Sequence, residues 1–198
     1  FEYQLYESFE DTDFTFIGLV LESTLQPPLE YASDLEQHIE QYSNGSVDVL
    51  TISEWNEGSQ QFTLYPNGNF QVTVGNVYQV EISTGDYLGT IWAQVGKLPP
   101  REVFTYTLTE LFEETDFTWI LQPLDFTSIH DATTLASDIE SNSSERLTVL
   151  TVSEWASNQQ FTLYDGSVGT NFSTRFGYPY MIEIMYAYDG TYIYPVRQ

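Results

Sequence analysis

The sequence predicts a mainly β fold made of two tandem homologous modules, each a β-sandwich or partly open barrel with one short helix. Three observations predict it: an internal repeat at an offset of about one hundred residues, two-residue alternation of apolar side chains through most of the chain, and one segment per copy with helical spacing. Phe9-Glu10-Asp11-Thr12-Asp13-Phe14-Thr15-Phe16-Ile17 returns as Phe112-Glu113-Glu114-Thr115-Asp116-Phe117-Thr118-Trp119-Ile120. Leu50-Thr51-Ile52-Ser53-Glu54-Trp55 returns as Leu150-Thr151-Val152-Ser153-Glu154-Trp155, and Gln60-Gln61-Phe62-Thr63-Leu64-Tyr65 returns unchanged from Gln159 to Tyr164. The offset stays between 99 and 103. Pro99-Pro100 stiffens the junction and removes two ladder donors, which places one module at 1–98 and the next at 99–198.

The strands follow in order. Phe1, Tyr3 and Leu5 alternate with Glu2 and Gln4, which predicts an N-terminal strand with an apolar face. Ala32, Leu35, Ile39 and Tyr42 fall at helical spacing, with Ser33 and Glu36 in capping-box positions and Gly45 beyond the end. Val47 to Ser53 is nearly apolar on both faces, as a central strand is. Phe70, Val72 and Val74 alternate with Gln71 and Thr73, and Tyr78, Val80 and Ile82 alternate with Gln79 and Glu81, predicting two further strands. In the second copy Phe104, Tyr106 and Leu108 repeat the first strand, Ala132, Leu135, Ala136 and Ile139 the helix, and Leu147 to Ser153 the central strand. Turns fall at Pro66-Asn67-Gly68, Asp165-Gly166 and Asp189-Gly190. Trp55 and Trp155, at equivalent places, are expected in the two cores.

Composition excludes several partners. The formal charge is −24, from 29 acidic residues against five cations: Lys97, Arg101, Arg146, Arg175 and Arg197. A chain so poor in cations cannot neutralise phosphates or an anionic lipid surface, so nucleic acid is excluded as a partner. No apolar run reaches the roughly 20 residues that span a bilayer, which argues against membrane insertion. Cysteine is absent, which removes thiolate chemistry and points away from the disulfide-rich secreted domains of eukaryotes.

The pattern Asp-Phe-Thr-Phe-Ile-Gly-Leu-Val-Leu, Ala-Ser-Asp-Leu, Ile-Ser-Glu-Trp-Asn, Ser-Gln-Gln-Phe-Thr-Leu-Tyr and Val-Gly-Asn-Val-Tyr-Gln-Val resembles tandem β-rich repeat modules of secreted and cell-surface proteins of bacteria and archaea. The resemblance implies an extracellular or cell-surface location and a non-catalytic role. Its landmarks are core and turn residues, so it transfers no active site. The second copy departs at Leu121-Gln122-Pro123, where the first has Gly18-Leu19-Val20.

Glu10, Asp11 and Asp13, repeated as Glu113, Glu114 and Asp116, offer oxygen ligands to Ca²⁺; the plainer reading is a solvated turn, and no other cofactor is expected. Glu54 and Glu154 beside tryptophans suit a glycosidase carboxylate, although a strand of alternating faces explains Ser-Glu-Trp equally well. His38 and His130 occupy non-equivalent positions without any zinc-ligand spacing and are expected at the surface. Asn44 and Asn142 open glycosylation sequons in predicted helix-to-strand loops, and a third sequon at Asn171 opens a strand. No nucleophile elbow, P-loop or dinucleotide fingerprint is present.

The aromatic side chains are the most suggestive feature. Tyr186, Tyr188, Tyr192 and Tyr194 exceed what one strand pair buries, and with Phe1, Tyr3 and Leu5 they form the candidate interface. The expectation is a non-enzymatic extracellular structural protein that associates with itself or similar surface proteins, through a terminal strand added to a neighbour's sheet. The alternative is a carbohydrate-binding pair that engages glycans through exposed Tyr and Trp.

Overall fold

The computed structural model describes residues 2–6, 14–24, 28–56, 58–84, 90–97, 99, 104–108, 117–122, 128–143, 146–157, 160–166, 169–185 and 190–193, the last stretch as backbone. The chain divides into two units, Phe1–Asn56 with Gln61–Pro99 and Glu57–Gln60 with Pro100–Gln198. The described residues are mainly β, with two helices among them. No helix among the described residues is long and apolar enough to cross a membrane.

The first unit contains β1 (Glu2–Leu5), β2 (Thr15–Gly18), β3 (Glu22–Ser23), α1 (Ala32–Tyr42), β4 (Asp48–Asn56), β5 (Gln61–Tyr65), β6 (Val77–Ser83), β7 (Thr90–Ala93) and β8 (Gly96–Lys97). Its main sheet is antiparallel with the order β2-β6-β4-β5, and β1–β7 and β3–β8 form separate pairs. The core gathers side chains from the sheet, the helix and the β1–β7 pair, among them Leu5, Ile17, Leu35, Ile39, Ile52, Val80 and Trp92. Burying side chains of this size is the main force holding these layers together, at about 1.5–3 kcal/mol each.

The second unit contains β9 (Thr105–Leu108), β10 (Thr118–Leu121), α2 (Ala132–Asn142), β11 (Thr148–Trp155), β12 (Phe161–Tyr164), β13 (Pro179–Met185) and β14 (Gly190–Ile193). Its antiparallel sheet runs β10-β13-β11-β12, and β9 pairs with β14. Small details recur at the repeat offset. The register slips between Val49 and Thr51 and again between Val149 and Thr151, a bulge that turns Leu50 and Leu150 to solvent. Gly75 and Gly177 both carry positive φ, 98° and 75°, which only glycine adopts without steric cost. The Tyr3 hydroxyl donates to Gly18 O at 2.6 Å, and the Leu121 amide donates to the Tyr106 hydroxyl at 3.1 Å.

Four expectations need correction. The described sheets are open, each with two edge strands, and do not close into a barrel. Residues 70–74 alternate in exposure but form no strand: the Phe70 carbonyl accepts from Ala32 N–H and the Val72 amide donates to Glu30 O, both at 2.9 Å. Their backbone groups serve the entry to α1 instead of a ladder. The helix cap lies two residues before Ser33, at Tyr31, where Asp34 Oδ2 accepts from the Tyr31 amide at 2.8 Å. Ser33 is already inside the helix, and its orphan N–H donates to Asn69 Oδ1 at 3.1 Å. In α2 the box is reciprocal: Asp131 Oδ1 accepts from Thr134 N–H at 2.8 Å, and Thr134 Oγ1 accepts from Asp131 N–H at 3.0 Å.

The fourth correction concerns the N-terminal strand. β1 pairs inside its own unit, Tyr3 opposite Trp92 and Leu5 opposite Thr90, and Tyr3 and Leu5 are buried there. An apolar strand face needs a cover, and α1 with the main sheet supplies it within the same unit. Tyr3 and Leu5 are therefore core residues, not interface residues.

Candidate functional site

Strands β5 and β12 carry the same sequence, Gln-Phe-Thr-Leu-Tyr preceded by Gln. Each closes one end of its sheet order, with a partner strand on one side only among the described residues. Phe62 lies opposite Trp55 and Leu64 opposite Ser53; Phe161 lies opposite Trp155 and Leu163 opposite Ser153. Because side chains alternate along a strand, Phe62 and Leu64 share one face with Trp55, and Phe161 and Leu163 share one with Trp155. Leu64 is 44% exposed, Leu163 42% and Phe161 42%. The turn after each strand folds back on its edge: Gly68 N–H donates to Leu64 O at 2.9 Å and Thr170 N–H to Leu163 O at 3.0 Å.

Trp55 meets Phe62 edge-on at 4.9 Å with ring planes 66° apart, and Trp155 meets Phe161 at 4.8 Å and 72°. Both tryptophans are half-buried, not enclosed in the core as their repetition suggested. Both stand on the face of their strand turned away from the buried Ile52 and Val152. No family model, curated protein or solved structure matches the chain. The geometry of its own residues therefore carries the functional argument.

On the opposite face, Glu54 stands across from Tyr78. Desolvation pushes the Glu54 carboxyl above its usual range, partly offset by the Asn76 side-chain amide, which donates to Glu54 Oε1 at 3.3 Å. Glu154 is raised for the same reason, and Arg175, 3.8 Å from its carboxylate, pulls it back. Arg175 also lies over the Tyr178 ring at 3.8 Å. The group beside Glu54 is thus the Asn76 amide, and the group beside Glu154 the Arg175 guanidinium.

Glu10, Asp11, Asp13, Glu113, Glu114 and Asp116 lie outside the described residues, and no three potential metal ligands gather among those described. Phe1, Tyr186, Tyr188 and Tyr194 also lie outside; the backbone of Tyr192 pairs with Tyr106. Asn44 is exposed between α1 and β4. Asn142 is instead the last residue of α2, its amide donating to Asp138 O at 2.9 Å and Oδ1 at 3.0 Å. Asn171 is held by Asp131 Oδ2 and Thr133 N–H, both at 3.1 Å. His130 is exposed, but His38 is buried. Sequence reading passed over Leu64, Phe161 and Leu163; the available signal was verbatim repetition of an uncharged strand in a strongly acidic chain.

Proposed function

We propose that this chain is a non-enzymatic extracellular structural protein, two tandem copies of one surface-repeat module, that associates with copies of itself through the outer edges of β5 and β12. One observation carries the reading: Gln61–Tyr65 and Phe161–Tyr164 expose apolar side chains and hold no charged residue, in a chain whose formal charge is −24. Like-charged chains repel, so copies meet at least cost where carboxylates are absent. Edge strands are ordinarily guarded by lysine, proline or inward charges; neither strand holds one, and the turn after each engages a single carbonyl, that of Leu64 or Leu163. A chain with two such edges joins two neighbours, and a contact that does not close on itself propagates into a filament or layer. Pairing through the edge of a sheet remains the mode; the strand is an internal one rather than the N-terminal one.

The carbohydrate-binding alternative has less support. A sugar platform offers an open aromatic face, whereas Trp55 and Trp155 each turn toward a perpendicular phenylalanine, and the most exposed groups of the strip include leucines.

Sedimentation velocity and negative-stain microscopy test the proposal. The native chain should form larger species as concentration and salt rise, because salt screens the repulsion. Leu64→Glu with Leu163→Glu should return it to a monomer with an unchanged melt. A native chain that stays monomeric at high concentration and salt would overturn the reading, as would a double variant that still assembles.

A further inference from the structure

Helix α1 carries the only histidine of the first unit, and the fold buries it to 4% exposure. Trp92 Nε1 donates a hydrogen bond to His38 Nδ1 at 3.2 Å. An indole nitrogen only donates, so His38 Nδ1 must be the bare nitrogen, with the proton on Nε2 and the ring neutral. Trp92 also meets the imidazole edge-on, centroids 5.9 Å apart, and stacks on Tyr3 at 5.7 Å with ring planes 19° apart. Tyr3 in turn exchanges hydrogen bonds with Gly18 on β2, at 2.6 and 3.0 Å. One imidazole therefore ties α1 to β7, and through Trp92 and Tyr3 to β1 and the main sheet.

Among the described residues the carboxylates of the surrounding elements are engaged elsewhere or exposed. On α1, Asp34 is turned to the Tyr31 amide, Glu36 to the Tyr65 hydroxyl and Glu40 to the Val49 amide, while Tyr42 lies against the imidazole at 4.6 Å. Strand β7 has no titratable residue; β1 contributes Glu2, which is exposed, and Tyr3; and β4 contributes Asp48, exposed, and Glu54, which bonds Asn76. Among the described residues no carboxylate forms an ion pair with His38.

We propose that His38 is an acid-sensitive latch on the first unit: protonation turns Nδ1 from acceptor to donor, sets it against the Trp92 N–H, and releases the β1–β7 pair from α1. With no carboxylate among the described residues paired to it, the resulting cation would stand buried at a cost. Burial already holds the His38 pKa below its ordinary 6.5. The sign follows from that direction. Folded chains bind fewer protons at this site than unfolded ones, so stability is lost as pH falls below about 6.5 and is unaffected above it. The corresponding residues of the second unit are Asp138 and Tyr192, so the device belongs to the first alone.

The test is run on the full chain between pH 7.5 and 5, following the imidazole signals and amide hydrogen exchange by NMR; with two histidines per chain, both are resolvable. Protection of the β1–β7 amides should fall with pH by up to about tenfold per unit, the slope that one proton imposes, while the β11–β13 amides hold. His38→Asn, which keeps an acceptor near Nδ1 but cannot titrate, should remove the dependence. Trp92→Phe should move the His38 titration upward, because the opposing N–H is gone. The proposal fails if β1–β7 protection is flat across the His38 titration, if His38→Asn loses protection in acid as the native chain does, or, should that variant not fold, if Trp92→Phe leaves the titration where it was.

Discussion

Tyr78 stacks on Phe70 with ring planes 6° apart and centroids separated by 6.1 Å, while its hydroxyl accepts a hydrogen bond from the Thr73 amide at 2.7 Å. The same arrangement recurs in the second unit, where Tyr180 stacks on Phe172 at 6.1 Å and accepts from the Arg175 amide at 2.6 Å. One side chain thus fixes both the packing and the backbone of the loop that precedes its strand. Burial raises the Tyr78 and Tyr180 hydroxyls far above their ordinary range, so they stay protonated and neutral at physiological pH.

Removing only that hydroxyl should separate the two roles. Tyr78→Phe keeps the stacked ring but leaves the Thr73 amide without its partner, and should cost about 1–3 kcal/mol. Tyr180→Phe should cost a similar amount in the second unit. Urea melts followed by tryptophan fluorescence measure both; an unchanged midpoint would show that the hydroxyl is dispensable.

The tryptophans at the sheet edges should prove less important for stability than their repetition suggests. Fully buried large side chains cost about 3–5 kcal/mol when cut to alanine. Trp55 and Trp155 are half-buried and meet Phe62 and Phe161 edge-on, so Trp55→Ala and Trp155→Ala should each cost about 2 kcal/mol. Trp92, fully enclosed in the first core, should reach the upper figure, and melts of the three variants compare them directly.

Glu54 and Glu154 give a second pH dependence, opposite in sign to that of His38. Each folded-state pKa is raised, chiefly by desolvation, so the folded chain holds these protons more tightly than the unfolded one. Their contribution is most favourable in acid and is lost as pH rises through the raised value. Glu54→Gln should therefore stabilise the chain at neutral pH and remove that slope, while keeping an acceptor for the Asn76 amide. Melting temperatures of native and variant chains from pH 4 to 7 decide it; parallel curves would refute the assignment.

Much of the fold could be read from local pattern. The positions that alternate at Tyr78, Val80 and Ile82 do form β6, and the helical spacing of Ala32, Leu35 and Ile39 does form the buried face of α1. Strands β5 and β12 were visible only as a repeated uncharged sequence. Their place at the rim depends on which strands pair, and β5 sits at an edge because β4 takes β6 as its other partner.

By itself, the sequence determined the repeat, the periodicities and the charge deficit, because each is a property of residue order alone. Which apolar faces are covered was decided by tertiary structure. Alternation puts Tyr3 and Leu5 on one face but does not say what covers it; α1, Trp92 and the main sheet do so within the first unit. The same spacing that marks α1 leaves His38 open to a surface reading, until β7 brings the Trp92 indole to its Nδ1. Residues 70–74 alternate as a strand does, yet their backbone groups bond the approach to α1. Periodicity assigns side chains to a face, and long-range pairing alone assigns that face to core, edge or solvent.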